Sequence, residues 1–196
     1  MSYIVNEKAK DPMTIGEKYF DFETLILDFR RAAVGNNGIS EVEAIMADTI
    51  NDLKKTNQIS KKFASNDVML YEDNSISIWH CYFEPGLTTP PHDHQIPAII
   101  GIYRGAERNE FYKLHTHRKI QKTGEVIISA GETLQIDPYT IHSVGCSDHQ
   151  PCYGIHIYLG KLTGVRRSLF DLVTGERMLY TEEDYSRLMK PDISNN

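Results

Sequence analysis

From Asp67 onward the chain is built of short apolar runs, each ended by turn residues, and this rhythm limits the fold more than any other feature. The runs are 75–83, closed by Glu84-Pro85-Gly86, then 98–103, 110–114, 125–129, 133–136 and 153–159. Short β-type segments at this spacing predict an antiparallel barrel or sandwich. Before residue 65 the periodicity is helical. Phe22, Leu25, Ile26 and Phe29, then Val42, Ile45, Met46, Ile50 and Leu53, recur at steps of three and four. Gly35-Asn36-Asn37-Gly38 interrupts that pattern, and Ser40 with Glu43 reads as a capping box that restarts it. Thr181 with Asp184 predicts a short helix from Glu182 to about Met189. The expectation is one 196-residue domain, mainly β, with a helical extension over 1–64, a barrel over 65–180, and a helix and tail over 181–196.

A hydrophobic content of 40% is ordinary for a globular chain and argues against disorder. The net charge is −6, and the basic residues are scattered apart from Lys54-Lys55 and Lys61-Lys62, so no nucleic-acid footprint is expected. No apolar stretch approaches the ~18 residues a membrane span needs, and no secretory core is present. Cys81, Cys146 and Cys152 lack a CxxC spacing and read as reduced thiols, which predicts a cytoplasmic protein. Monomer and homodimer both remain open.

His92-Asp93-His94 follows Pro90-Pro91. On a strand, residues i and i+2 share a face, so the two imidazoles can converge, although such pairs also occur on exposed strands. Gly86 stands six residues before His92 and Gly105 eleven after His94, while Gly131 precedes His142 by eleven in a segment carrying Asp137-Pro138. These spacings resemble the two motifs of the cupins. The resemblance covers about residues 67–171. It implies a double-stranded β-helix (jelly-roll) barrel, with His92, His94 and His142 as metal ligands. Many cupins carry a glutamate where this chain has Ala98. The implied shell is therefore three neutral imidazoles with coordination positions left open, which suits a catalytic metal. Imidazole suits zinc, copper, iron and nickel alike.

In the segment 152–160, period two puts Gly154, His156 and Tyr158 on one face, opposite Tyr153, Ile155, Ile157 and Leu159. The chain resembles the thiol dioxygenases, meaning cysteine dioxygenase and its bacterial relatives, 3-mercaptopropionate dioxygenase among them. The resemblance rests on His92-Asp93-His94, on Gly101-Ile102-Tyr103-Arg104-Gly105-Ala106-Glu107, on Gly154-Ile155-His156-Ile157-Tyr158, and on Gly164-Val165-Arg166-Arg167. It implies Fe(2+), a small thiol and O2 as substrates, and a sulfinic acid as product. By the same resemblance Tyr158 bonds dioxygen or substrate, His156 orients the phenol, and Arg167, with Arg166, holds a substrate carboxylate. Taken without the family, His156 and Tyr158 read as core residues and Arg166-Arg167 as a surface pair.

Three departures loosen the thiol assignment. Gly154 replaces the family's serine, Pro97-Ala98 replaces the usual pair after the histidines, and no arginine lies between Arg31 and Arg104, where Glu72 is found instead. A three-histidine iron cupin that cleaves a carbon–carbon bond, a hydrolytic zinc enzyme and a non-catalytic sensor are the alternatives. His115-Thr116-His117 stands among Lys113, Arg118, Lys119 and Lys122 and reads as an exposed hairpin, His149 as loop, and His80 as core, on the face of Ile76, Ile78 and Tyr82.

Overall fold

The computed structural model describes residues 22–56, 67–115 and 119–191. The rest of the N-terminal extension, Thr116 to Arg118 and the last residues of the tail lie outside the described residues. Two helices, α1 (Phe22–Ala33) and α2 (Gly38–Thr56), precede the strands. The strands are β1 (Val68–Glu72), β2 (Ser77–Phe83), β3 (Leu87–Thr88), β4 (Ala98–Arg104), β5 (Ala106–Leu114), β6 (Ile120–Ser129), β7 (Thr133–Ile136), β8 (Ile141–Cys146) and β9 (Cys152–Tyr158). A 3-10 turn (Leu162–Gly164), β10 (Ser168–Phe170), β11 (Arg177–Leu179), α3 (Glu182–Leu188) and β12 (Lys190–Pro191) complete the chain. All paired strands run antiparallel.

Two five-stranded sheets, ordered β1-β2-β9-β4-β7 and β12-β3-β8-β5-β6, face each other. Their inner faces share one apolar cluster. Ala98, Ile100, Ile102, Ile136 and Tyr158 of the first sheet meet Ile128 and Cys146 of the second, with Phe111 packed against them. This is the double-stranded β-helix jelly roll that the resemblance to the cupin motifs implies. Gly86, Gly105 and Gly131, the glycines that set that spacing, all have positive φ. At Gly105 a Cβ would stand 2.5 Å from the Pro151 carbonyl oxygen, so both backbone conformation and space exclude a side chain.

The outer face of the first sheet is covered by α1 and α2. Phe29, Val42, Met46, Ile50 and Leu53 pack against Ile99, Tyr153, Ile155 and Ile157. This explains why β4 and β9 are apolar almost throughout. With helices on one side and the second sheet on the other, every residue of β9 is buried. His80 lies on this helix-facing side, with Nε2 2.7 Å from the Tyr103 hydroxyl, as its place beside Ile76 and Ile78 implied.

Several boundaries differ from expectation. Helix α2 starts at Gly38, so Ser40 and Glu43 do not act as its capping box. Instead Glu41 N–H bonds Asn37 C=O, because the turn after α1 is tight and a Cβ on Gly38 would stand 2.9 Å from the Ala33 carbonyl oxygen. Strands β5 and β6 are longer than their apolar cores, since a paired hairpin carries its polar ends along as a ladder. The His115 N–H bonds Lys119 C=O where that hairpin turns. β12 brings the segment after α3 back to pair with β3. Among the described residues no helix is long and apolar enough to cross a membrane.

Gly101 on β4 lies directly under α2, and a Cβ there would stand 2.6 Å from Met46 Sδ and 2.8 Å from Ile50 Cγ2. Gly101→Ala should destabilise the protein by about 1–3 kcal/mol through overpacking, read as a lower urea midpoint. An unchanged midpoint would mean that α2 does not dock here.

Candidate metal centre

His92 and His94 do not sit in a regular strand. The chain at His92 forms an isolated bridge to His142 on β8 and to Leu169 on β10. His92 N–H donates to His142 C=O at 2.8 Å, and His142 N–H returns the bond at 3.0 Å. The Asp93 carboxylate has its partners outside the three imidazoles. Its Oδ1 accepts from Ser168 N–H at 2.8 Å and its Oδ2 from Gln95 Nε2 at 2.7 Å. Gln95 takes φ 59° and donates its N–H to Pro138 C=O, turning the chain into β4. Strain of this kind in a non-glycine residue persists only where its surroundings enforce it.

The three side chains converge in the barrel interior, with one ring nitrogen from each within 4.8 Å of the others. All three are buried. His92 Nδ1 lies 2.9 Å from the Pro90 carbonyl oxygen, which can only accept, so Nδ1 carries the proton and Nε2 is left with its lone pair. His142 Nε2 and His94 Nε2 are 3.3 Å apart. Two nitrogens bound at about 2.1 Å to one ion stand roughly 3.0–3.4 Å apart at octahedral to tetrahedral angles, so the spacing fits a shared metal. His94 Nδ1 is buried without a hydrogen-bond partner. Ala98 is buried in the apolar cluster, and the metal-competent group found among the described residues contains no carboxylate.

Other predicted residues surround this triad. The Tyr158 ring stands edge-on to His94, centroids 4.9 Å apart. Burial pushes its phenol well above the usual range, with Cys81 adding to the effect and Arg167 opposing it, so the hydroxyl stays protonated. His156 faces the interior too, but its Nε2 lies 3.1 Å from Glu107 Oε2, and no bond to Tyr158 accompanies that contact. Glu107 Oε1 accepts from Asn109 Nδ2 at 2.8 Å, and Asn109 Oδ1 lies 2.8 Å from His142 Nδ1. A Cβ on Gly154 would stand 2.8 Å from Ile102 Cδ1 and 2.9 Å from the Gly101 carbonyl oxygen. A serine therefore has no room at position 154, and Glu107 is the side chain that orients His156.

Arg166 is exposed, while Arg167 is half-buried with its guanidinium 3.5 Å from the Tyr180 ring centroid. Burial lowers the pKa of both His92 and His94, and the charge of Arg167 acts in the same direction as a lesser cause. Glu72 accepts from Ser77 and Thr163 and ties down the 3-10 turn. Tyr185 of α3 was not anticipated. Its ring is edge-on to His92 at 6.2 Å, and it lines a cavity of about 300 Å³ with Phe83, Leu87, Thr89 and Met189. The phase of a helix this short carries no signal for such a contact. Glu107 and Asn109 were legible in principle, as polar residues two apart on one strand face. A cavity of about 360 Å³ on the outer face of the second sheet, bordered by Arg108, Glu110 and Tyr112, contains none of the predicted site residues.

Burial lowers the pKa of His92 to about 4, against the ordinary 6.5, with Arg167 and His156 acting in the same direction. His94 and His142 are held well below 6.5, first by burial and then by neighbouring imidazoles. His80 falls to about 4, again by burial. All are neutral at pH 7, as metal ligation requires. Between pH 6.5 and about 4 the unfolded chain takes up protons that the folded one refuses. Stability is thus complete above that window and declines as the pH falls through it. The metal-free protein should show a thermal midpoint that drops steadily from about pH 7 to about pH 4.5, and a flat profile would contradict the neutral, buried imidazoles.

No protein-family model matches this sequence. Among solved structures, an oxalate decarboxylase from Bacillus subtilis with Mn(II) centres is similar at 14% identity and a TM-score of 0.40, over 50% of this chain and 24% of its own. This chain therefore matches about a quarter of that enzyme's length. A cupin superfamily protein from Desulfitobacterium hafniense is similar at 13% identity and a TM-score of 0.40, over 48% of this chain and 76% of its own. A cupin-family protein with a double-stranded β-helix fold from Methanocaldococcus jannaschii is similar at 9% identity and a TM-score of 0.42, over 50% of this chain and 81% of its own.

Proposed function

We propose that this chain is a mononuclear non-haem iron(II) dioxygenase that oxidises a small thiol, of the cysteine or 3-mercaptopropionate kind, to its sulfinic acid. The observation that carries the reading is the set of three buried, neutral imidazoles with no carboxylate among them. Such a shell leaves the charge of a divalent ion uncompensated, which favours an anionic substrate atom such as a thiolate. Iron, when bound, supplies the redox chemistry and the open positions at which substrate and O2 meet. One thiol and one O2 give one sulfinic acid, both oxygen atoms ending on sulfur, so no further reductant is needed.

The chain's own groups supply orientation and exclusion. Tyr158, kept protonated by burial, is a hydrogen-bond donor beside His94. Arg167, held against Tyr180, offers a cation for a substrate carboxylate. The aromatic rings of Tyr158 and Tyr185 flank the triad and limit water. A second reading is favoured by one observation: His156 is bonded to Glu107 and not to Tyr158, so the serine–histidine–tyrosine arrangement of the thiol enzymes is incomplete. That suits a three-histidine iron enzyme cleaving a carbon–carbon bond in an enolisable substrate such as a β-diketone.

Oxygen uptake by anaerobically iron-loaded protein separates the two, with cysteine, 3-mercaptopropionate, cysteamine, mercaptosuccinate and a β-diketone as the panel. Uptake should accompany a thiol, at about one O2 per thiol, and vanish in His92→Ala. Tyr158→Phe should keep its iron and lose about 10²-fold in kcat, the lower end of what a positioned proton donor contributes. Arg167→Ala should raise KM for carboxylate-bearing thiols and leave cysteamine unaffected. Uptake with the diketone alone, at full iron occupancy, would replace the thiol reading with the second one.

A further inference from the structure

We infer that Glu107 is a positioning residue that decides which nitrogen of His142 faces the metal, acting through Asn109 by the direction of its hydrogen bonds. The inference rests on reading His92, His94 and His142 as a metal centre. Glu107 and Asn109 are both fully buried, two residues apart on the inner face of β5. A carboxylate accepts and does not donate, and the two oxygens of Glu107 meet two different partners. Oε1 lies 2.8 Å from Asn109 Nδ2, and Oε2 lies 3.1 Å from His156 Nε2.

The consequence runs along the chain of bonds in one direction only. Because Glu107 accepts, the amide of Asn109 must turn its NH2 toward it. The other end of the amide, Oδ1, then faces His142 Nδ1 at 2.8 Å. An amide oxygen accepts, so Nδ1 must hold the single proton of the neutral ring. The lone pair is left on Nε2, the nitrogen that stands 3.3 Å from His94 Nε2. If the amide were reversed, its N–H would meet a lone pair on Nδ1, the ring proton would move to Nε2, and the ligand atom would be blocked. At His92 the same task falls to the Pro90 backbone carbonyl, which cannot be turned round. His142 is therefore the ligand whose tautomer depends on side chains. His156 completes the device, because by occupying Oε2 it keeps Glu107 from turning both oxygens toward Asn109.

This logic predicts a rescue that a purely space-filling role would not. In Glu107→Gln, the one amide oxygen can accept from Asn109 or from His156 but not from both, so the direction of the Asn109 amide is kept only where His156 moves its ring proton to Nδ1 and accepts from the new NH2 through Nε2. In Asn109→Asp, His142 keeps an acceptor, but two carboxylates are left abutting. The double variant Glu107→Gln/Asn109→Asp exchanges the two groups. The amide now at position 107 donates its NH2 to the carboxylate now at position 109, and its oxygen accepts from His156. That carboxylate accepts both from the amide and from His142 Nδ1. Every donor has an acceptor again, with side-chain size preserved throughout.

The experiment measures two quantities on the full chain. One is the imidazole tautomer of His142 in the metal-free protein, from 15N chemical shifts. The other is Co(2+) affinity under anaerobic conditions, by competition with a chelator. The wild type should show the Nδ1–H tautomer. Glu107→Gln should lose about 10–100-fold in affinity, the usual consequence of disturbing the hydrogen-bonded support of a ligand, whereas Asn109→Asp, in which His142 keeps its acceptor, should lose less, through the two abutting carboxylates alone. Glu107→Gln should in addition show a mixed tautomer. The double variant should restore the wild-type tautomer and return affinity to within about threefold, as compensation between coupled residues requires. Should one single variant fail to fold, the other provides the comparison. Unchanged His142 tautomer and affinity in Glu107→Gln with the His156 tautomer also unchanged, or a double variant no better than the singles, would overturn the inference. A wild type that takes up no Co(2+) would instead sink the metal-centre reading, and the tautomer comparison would still decide the relay.

Discussion

Burial of β4 and β9 on both faces organises most of this molecule. Helices α1 and α2 take one side of these strands and the second sheet takes the other. Because successive strand residues point oppositely, the register from β2 through β9 to β4 assigns each side chain to one of two environments. Ile155 and Ile157 pack under the helices, while His156 and Tyr158 enter the barrel. A slip of one residue would send an imidazole and a phenol into the apolar helix interface and bring isoleucines to the metal chamber. Register and chemistry are thus the same decision.

Placing histidines inside a barrel creates an obligation. A buried polar atom without a partner is costly, and here nearly every one beside the triad has an assigned partner. Pro90 serves His92, Asn109 serves His142, and Glu107 serves both Asn109 and His156. His94 Nδ1 is a fully buried nitrogen of the triad with no hydrogen-bond partner. The same burial that demands these bonds keeps the imidazoles neutral, so desolvation and ligation favour one state of the site. Asp93, although it stands between two ligands in sequence, spends its carboxylate on Ser168 and Gln95 and holds the ligand segment against β10.

Much of this was legible in order along the chain. Two helices, a run of short strands and a capped helix near Glu182 are local signals, readable from periodicity and turn chemistry. The strand rhythm gave an antiparallel barrel or sandwich, and the jelly roll came from the resemblance that the glycine and histidine positions carry, three of those glycines having a positive φ that restricts residue type. The start of α2 was misjudged, because the tight turn after Ala33 overrides the Ser40–Glu43 signal. The two-residue strands β3 and β12 were invisible, because pairing across the sheet defines them and their own composition does not.

The sequence by itself determined the alternation of environments, the absence of a carboxylate at Ala98 and the three histidines available to a metal, because each follows from residue identity and local spacing. Only the tertiary structure decided that His156 turns to Glu107, that Arg167 lies against Tyr180 while Arg166 is exposed, and that Tyr185 stands edge-on to His92. Those contacts join residues far apart in the chain. They depend on how two sheets and a short helix meet, and no periodicity within a single segment encodes that distance.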